Sequence, residues 1–276
     1  PALLMNRGHE LAFATLQGII TAAESQGASL LPVTAKENIV LDELARESSG
    51  LVLFDHNYDI DGFGGVAAFA LARGRPVCVA GPTSSDIPGV SGDHQEAFEL
   101  ATDHLLGLGH SRIALINHVG RNGSEKRVAE ANQQGYLKAF RKRRLAHPPD
   151  LYAETAAHER PQFRAETAAA LDRFLEQRPR LTAIVCNNDP RAFLVMELLA
   201  ERGLRVPQDV SIVGFDNRRQ SAQCSPPLTT VDPRRFAQGE AAVHYVIHRL
   251  RGGAGAPPCI RPRLIVREST GPVNQS

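Results

Sequence analysis

The chain has 276 residues, is 42% hydrophobic and 22% charged, and carries a formal net charge of +1. This is an ordinary globular balance, enough for one large or two medium α/β lobes, with no strong field to draw the chain to nucleic acid or an anionic membrane. No apolar run approaches a membrane span, zero tryptophan and 5% aromatics argue against a base-stacking platform, and the four cysteines are too scattered for zinc or a disulfide framework.

Strand-like runs and helical patterns alternate from the start. Ala2 to Met5 reads as a strand. Phe13 to Gln26 reads as a helix, with Leu16, Ile19, Ile20 and Ala23 at helical spacing and Gly27 as its stop. Ser29 to Val33 is the next strand, followed by a helix through Leu41, Leu44 and Ala45. Gly50 to Phe54 is a strand ending at Asp55-His56-Asn57, then come a helix over Val66 to Arg73 and a strand over Pro76 to Ala80. Repeated units of this kind predict a parallel sheet with helices on both faces.

The pattern then restarts. Glu96 to Leu108 is a helix ended by Gly109-His110, Arg112 to Ile116 a strand, and Ala129 to Arg144 a helix. Thr182 to Cys186 is a strand ending at Asn187-Asn188-Asp189, and Pro190 opens a helix that runs through Glu201 and stops at Gly203. Val210 to Phe215 is a short apolar, β-branched run, as expected of a strand covered on both faces. Gly214 lets its backbone pass close to a neighbour, and Asp216 falls at the strand's carboxyl end, the edge where open α/β sheets bind ligands. Two successive sets suggest two similar lobes with a cleft between them.

Catalytic and metal signatures are missing. The ten histidines show no HExxH and no His/Cys cluster at metal spacing. There is no GxSxG and no Walker A loop, so neither metal, cofactor nor enzymatic activity is expected. Arg141-Lys142-Arg143-Arg144 falls in a helix's last turn, where cations complement the macrodipole and stay solvated, rather than marking a nucleic-acid site. The N-terminal residues lack the pattern of a signal peptide, which points to a cytoplasmic address.

Several segments occur in one order: Thr102 through His110 followed by Ser111-Arg112-Ile113-Ala114, Gly135 through Phe140, Asn188-Asp189, Glu201 through Asn217, Pro227-Leu228-Thr229-Thr230-Val231, and Arg267-Glu268-Ser269-Thr270. Together they resemble the effector-binding region of the LacI/GalR family of bacterial transcription regulators, over essentially the whole chain. The resemblance implies two doubly wound, parallel-sheet α/β lobes of periplasmic-binding-protein-like type, joined by crossing strands, with a ligand cleft between them. It divides the chain into residues 1–93 plus 234–261 and residues 94–233 plus 262–276. It also implies a homodimer that binds operator DNA through an N-terminal helix-turn-helix. That headpiece is expected outside this chain, because residue 1 leads almost directly into the first strand.

Seven residues are candidates for ligand contact. Asp216 belongs to the Gly-aromatic-Asp motif whose aspartate the resemblance turns toward ligand, where a carboxylate accepts two hydrogen bonds; its bland alternative is a turn cap. Asn188 matches a polar ligand-facing position and equally suits an N-cap for the helix at Pro190, a task that Asp189 can share. Phe13 matches an aromatic suited to a ring face, or it is a hydrophobic staple. His56, with Asp55, ends the third strand, though a loop histidine is commonly just solvated. Asn132 stands three residues before Gly135-Tyr136, where the family usually has an arginine that forks onto ligand oxygens. Asparagine is shorter and neutral, and Lys126 and Arg127 upstream could compensate.

The expected function is therefore ligand sensing: a small effector, a sugar or related metabolite, favours one lobe orientation and so controls DNA binding by a repressor, without a membrane partner. The alternative on the same fold is a periplasmic solute-binding protein that feeds a transporter.

Overall fold

The structure, a computed structural model, describes residues 10–30, 48–54, 64–83, 87–118, 120, 123–157, 160–177 and 180–274. The strand expected at Ala2, most of the strand expected from Ser29, the helix expected around Leu41 and the candidate His56 lie outside these residues. The chain divides into two compact units, one of Pro1–Gly92, Asn122–Ser124 and Arg234–Ile260, the other of Asp93–Arg121, Glu125–Pro233 and Arg261–Ser276.

The first unit holds α1 (Glu10–Ser25), β1 (Leu51–Leu53), α2 (Gly64–Ala72), β2 (Val77–Ala80) and β3 (Gly89–Val90). Among the described residues its strands run parallel in the order β1-β2-β3. β2 is buried along its whole length, and its side chains alternate between two apolar clusters. Cys78 and Ala80 face Ile19 and Ala23 of α1 together with Ala242, Val243 and Val246 from the helix Arg235–Leu250. Val77 and Val79 face Ala67 and Ala70 of α2.

The second unit begins with α3 (His94–Gly107), β4 (Ile113–His118), α4 (Gly123–Lys142), β5 (Tyr152–Thr155), α5 (Phe163–Glu176) and β6 (Ala183–Cys186). It continues with α6 (Asp189–Glu201), β7 (Ser211–Phe215), β8 (Thr229–Asp232) and β9 (Arg263–Ile265), and the first-unit helix Arg235–Leu250 is α7. The sheet order is β5-β4-β6-β7-β8-β9. Five strands are parallel, and β9 is an antiparallel edge.

The two-residue period of these strands splits the core. Ile113, Leu115, Ala183, Val185, Val213 and Phe215 pack under Phe98 and Leu105 of α3 and Tyr136 and Phe140 of α4. Ala114, Ile116, Ile184, Cys186 and Ile212 pack under Leu171 and Phe174 of α5 and Val195, Leu198 and Leu199 of α6. Each such leucine or isoleucine removed from water is worth about 1.5–3 kcal/mol, so a strand covered on both sides reads as the continuous apolar run seen in the sequence. Cys78 and Cys186 behave as small apolar side chains, burial pushing both thiols up to about 12.

Capping groups close the helix ends. Asp93 caps α3, its Oδ1 accepting from the Glu96 amide at 2.8 Å. α6 closes at Gly203, φ 71°, where Leu204 N donates to Leu199 O at 2.9 Å. Six elements go beyond those read from sequence: β3, β5, α5, β8, α7 and β9. α4 also starts at Gly123, six residues before Ala129.

Candidate functional site

The carboxyl ends of the parallel strands in the second unit share one edge. β4 ends at His118, β5 at Thr155 and β8 at Asp232; Asn187 and Asn188 follow β6, and Asp216 follows β7. Polar groups gathered on this edge of a doubly wound sheet are placed where ligands bind.

The end of β7 is the most distinctive point. Asp216 has φ 120°, a backbone conformation that L residues adopt only under local constraint, and Asn217 follows at φ 50° in the left-handed region that asparagine tolerates. Asp216 is 8% exposed, and its backbone N donates to Val231 O at 2.9 Å. Beneath it lies Asp189, fully buried. Asp189 Oδ2 accepts from Ser221 Oγ at 2.5 Å and from the Arg218 amide at 2.8 Å, and Oδ1 accepts from Thr230 Oγ1 at 2.6 Å. Gly214 is the close approach expected from sequence: a Cβ there would collide with Asp189 Oδ1 and come within 2.9 Å of Leu228 Cδ2. Burial, reinforced by the neighbouring Asp216 carboxylate, pushes Asp189 up to about 7 against these three hydrogen bonds.

Asn188 caps α6. Its backbone is extended at φ −157°, its Oδ1 accepts from the Arg191 amide at 2.9 Å, and Pro190 occupies the first turn. The capping task therefore goes to Asn188, while Asp189 ties α6 to β8 and to the loop after β7.

In the same first turn of α6, Arg191 is entirely buried. Its Nε donates to Asn187 Oδ1 at 2.6 Å and its NH2 to Ala156 O at 2.9 Å. Its NH1 donates to Thr155 Oγ1 and, at 3.3 Å, to Thr167 Oγ1, while the guanidinium lies 5.0 Å from the centre of the Phe163 ring. Burial lowers it to about 10, which leaves it charged at neutral pH. Asn187 Nδ2 reaches His118 Nδ1 at 3.1 Å. Burial holds His118 toward its neutral form, with the Glu125 charge opposing. Arg191, Asn187 and His118 thus form a polar brace across the ends of β5, β4 and β6.

Asn132 is committed within the protein. It is buried in α4; its Nδ2 donates to Asn117 Oδ1 at 3.1 Å, and its Oδ1 lies 3.1 Å from His94 Nδ1. The His94 ring in turn stacks on Phe215, centroids 5.1 Å apart, so Asn132 supports the strand that presents Asp216. Lys126 and Arg127 are exposed on the first turns of α4. Phe13 is 49% exposed on α1, in the first unit.

Other conspicuous motifs have structural tasks. In the basic run, Arg143 pairs with Asp103 at 2.6 Å and Lys142 with Glu99 at 3.5 Å. Ser269 is buried; its Oγ donates to Ile212 O at 2.6 Å and accepts from Thr229 N at 2.8 Å, joining the C-terminal segment to β7 and β8. Among the described residues no group of three or more His, Cys, Asp or Glu could hold a metal ion, and no helix is long and apolar enough to cross a membrane.

The structure adds Arg191, His118 and Arg218 to the residues at this edge, beside Asp189, which the sequence already pairs with Asn188. Asp189 had a signal in its place after the Asn188 cap. Arg191 had none, since an arginine early in a helix ordinarily reads as solvated.

Known proteins share this fold. The family profile for the periplasmic binding protein-like domain matches residues 102–270. The HTH-type transcriptional repressor PurR of Haemophilus influenzae is 30% identical, over 88% of this chain and 73% of that protein. The chain spans about half the length of most of the curated relatives it matches. A regulatory protein of the LacI family from Chloroflexus aggregans superposes with a TM-score of 0.79 at 24% identity, covering 98% of this chain and 96% of that one. The transcriptional regulator CelR in complex with cellobiose superposes at 0.71 with 21% identity, covering 94% of this chain and 79% of that one.

Proposed function

Because this chain belongs to the LacI/GalR family of transcription regulators and forms their periplasmic-binding-protein-like effector domain, we propose that it senses a small molecule on behalf of a DNA-binding repressor. The observation that carries this reading is the end of β7, where Asp216 is held at φ 120° on an edge lined by Asn188 and braced by Asp189 and Arg191. Asp216 and Asn188 contact the effector; Asn132 acts behind them through His94 and Phe215. Binding controls the DNA-bound state only by the difference in effector affinity between the protein's two functional states.

The repressor relatives favour a regulator over a solute-binding protein of a transporter. In the longer protein an N-terminal helix-turn-helix reads the operator, the protein works as a homodimer, and it acts in the cytoplasm. The effector is a sugar or related metabolite, a reading supported by the cellobiose complex of a protein of this fold.

A thermal-shift screen over sugars, polyols, nucleosides and small acids tests the proposal, because a bound ligand raises apparent stability by mass action. The best hit should lose its shift in Asp216→Ala, and an unchanged shift would remove Asp216 from the site. The coding sequence upstream of Pro1 gives an independent check: a helix-turn-helix supports a regulator, and a secretion signal overturns it.

A further inference from the structure

We propose that Arg218 is the cationic ligand-contact residue of this edge, selecting an effector whose hydroxylated skeleton also carries an oxyanion, a carboxylate or a phosphate. The inference rests on reading the carboxyl edge of the second unit as the effector site.

Arg218 follows the strained Asp216 and the left-handed Asn217, and its main chain is fixed on both sides. Its amide donates to Asp189 Oδ2 at 2.8 Å and its carbonyl accepts from Ser221 N at 2.9 Å. The side chain is 20% exposed, yet its Nε is buried and has no hydrogen-bond acceptor among the described residues. Its charged neighbour there is Asp216, whose Oδ2 lies 4.0 Å from Nε, too far for a hydrogen bond. Buried donors are ordinarily satisfied, so an orphaned guanidinium nitrogen at a candidate ligand edge marks a place for an acceptor.

Two other cations near this edge have protein partners. Arg191 is enclosed by Asn187, Thr155, Thr167 and Ala156 O. Arg267 donates to Leu228 O at 2.7 Å and to Asn217 Oδ1 at 2.8 Å. The position where the family resemblance implies an arginine is Asn132, which is neutral and fully engaged. Arg218 therefore supplies the planar fork that Asn132 does not, from the loop after β7 instead of from α4.

The pairing with Asp216 narrows the ligand class. A guanidinium binds an oxyanion more strongly than a neutral hydroxyl, because both partners are charged and the contact is bidentate. Asp216 repels a bare anion but accepts a hydroxyl proton. A ligand with a hydroxyl for Asp216 and an acidic oxygen for Arg218 uses both; a neutral sugar uses Asp216 alone, and sulfate uses Arg218 against the repulsion of Asp216.

The test is calorimetric titration of the protein with gluconate, glucuronate and glucose 6-phosphate, with glucose, sorbitol and sulfate alongside. At least one acidic probe should bind about tenfold or more tightly than its neutral parent, and sulfate should not match it. Arg218→Gln should abolish that preference, and Arg218→Lys should keep part of it. The inference is overturned if no acidic probe binds, if the neutral parent binds as tightly, or if Arg218→Gln leaves the affinity unchanged. A neutral sugar that binds wild type and Arg218→Gln alike but not Asp216→Asn keeps the edge as effector site and removes Arg218 from it. An acidic probe indifferent to both substitutions removes the edge as well.

Discussion

The carboxylate of Asp189 occupies the space that Gly214 leaves by having no side chain, so the glycine of β7 and the first residue of α6 are fitted to each other across adjacent strand ends. Gly214→Ala puts a methyl group onto Asp189 Oδ1 and within 2.9 Å of Leu228 Cδ2. Overpacking of this kind costs about 1–3 kcal/mol. Urea denaturation should show a loss in that range, and a variant as stable as wild type would mean that Asp189 moves aside freely.

Asp189 also gives a pH dependence with a definite sign. Its folded-state value is raised, to about 7 from 3.8, so between those values the folded protein binds the extra proton. Stability from this group is fully present below about pH 4 and is lost as pH rises toward 7, with a slope of at most about 1.4 kcal/mol per pH unit. Denaturation series from pH 5 to 8 should show the decline in wild type and a flatter profile in Asp189→Asn. Equal slopes in the two proteins would refute the shift.

Asp216 is held at φ 120°, a conformation that costs a non-glycine residue about 1–3 kcal/mol. Asp216→Gly should therefore be at least as stable as wild type, and Asp216→Ala no more stable, while both lose the effector response. Thermal melts of the three proteins decide it; a glycine variant less stable than the alanine variant would show that the backbone there is not strained.

Removing Arg191 strands the buried Thr155 Oγ1 and the partly buried Asn187 Oδ1 and Ala156 O. Arg191→Ala should cost about 3 kcal/mol or more, in the range for breaking buried charged networks. Arg191→Lys, which keeps a charge without the planar fork, should recover only part of that. Chemical denaturation measures both, and a loss under about 1 kcal/mol for alanine would mean the brace contributes little.

Legibility followed the chemistry of each segment. β7 was readable because five consecutive buried residues leave one apolar run, and α6 because Asn188 and Pro190 mark its start. α5 was passed over although Thr167, Ala170, Leu171 and Phe174 bury at helical spacing; the charged residues between them dilute that signal. The first turn of α4 was missed because Ser124 and Glu125, polar residues, are buried there. β5 is a four-residue edge strand whose Tyr152 hydroxyl reaches Glu154 Oε1 at 2.6 Å, too short and polar to stand out. At the site, strand-end positions were legible, whereas Arg191 and Arg218 depend on contacts between residues far apart in the chain.

The most direct test of the account is a crystal structure of the protein with the best effector from the screen. The effector should lie within hydrogen-bonding distance of the Asp216 carboxylate, at the edge that Asn188 shares. An effector bound elsewhere, with Asp216 and Asn188 untouched, would contradict it.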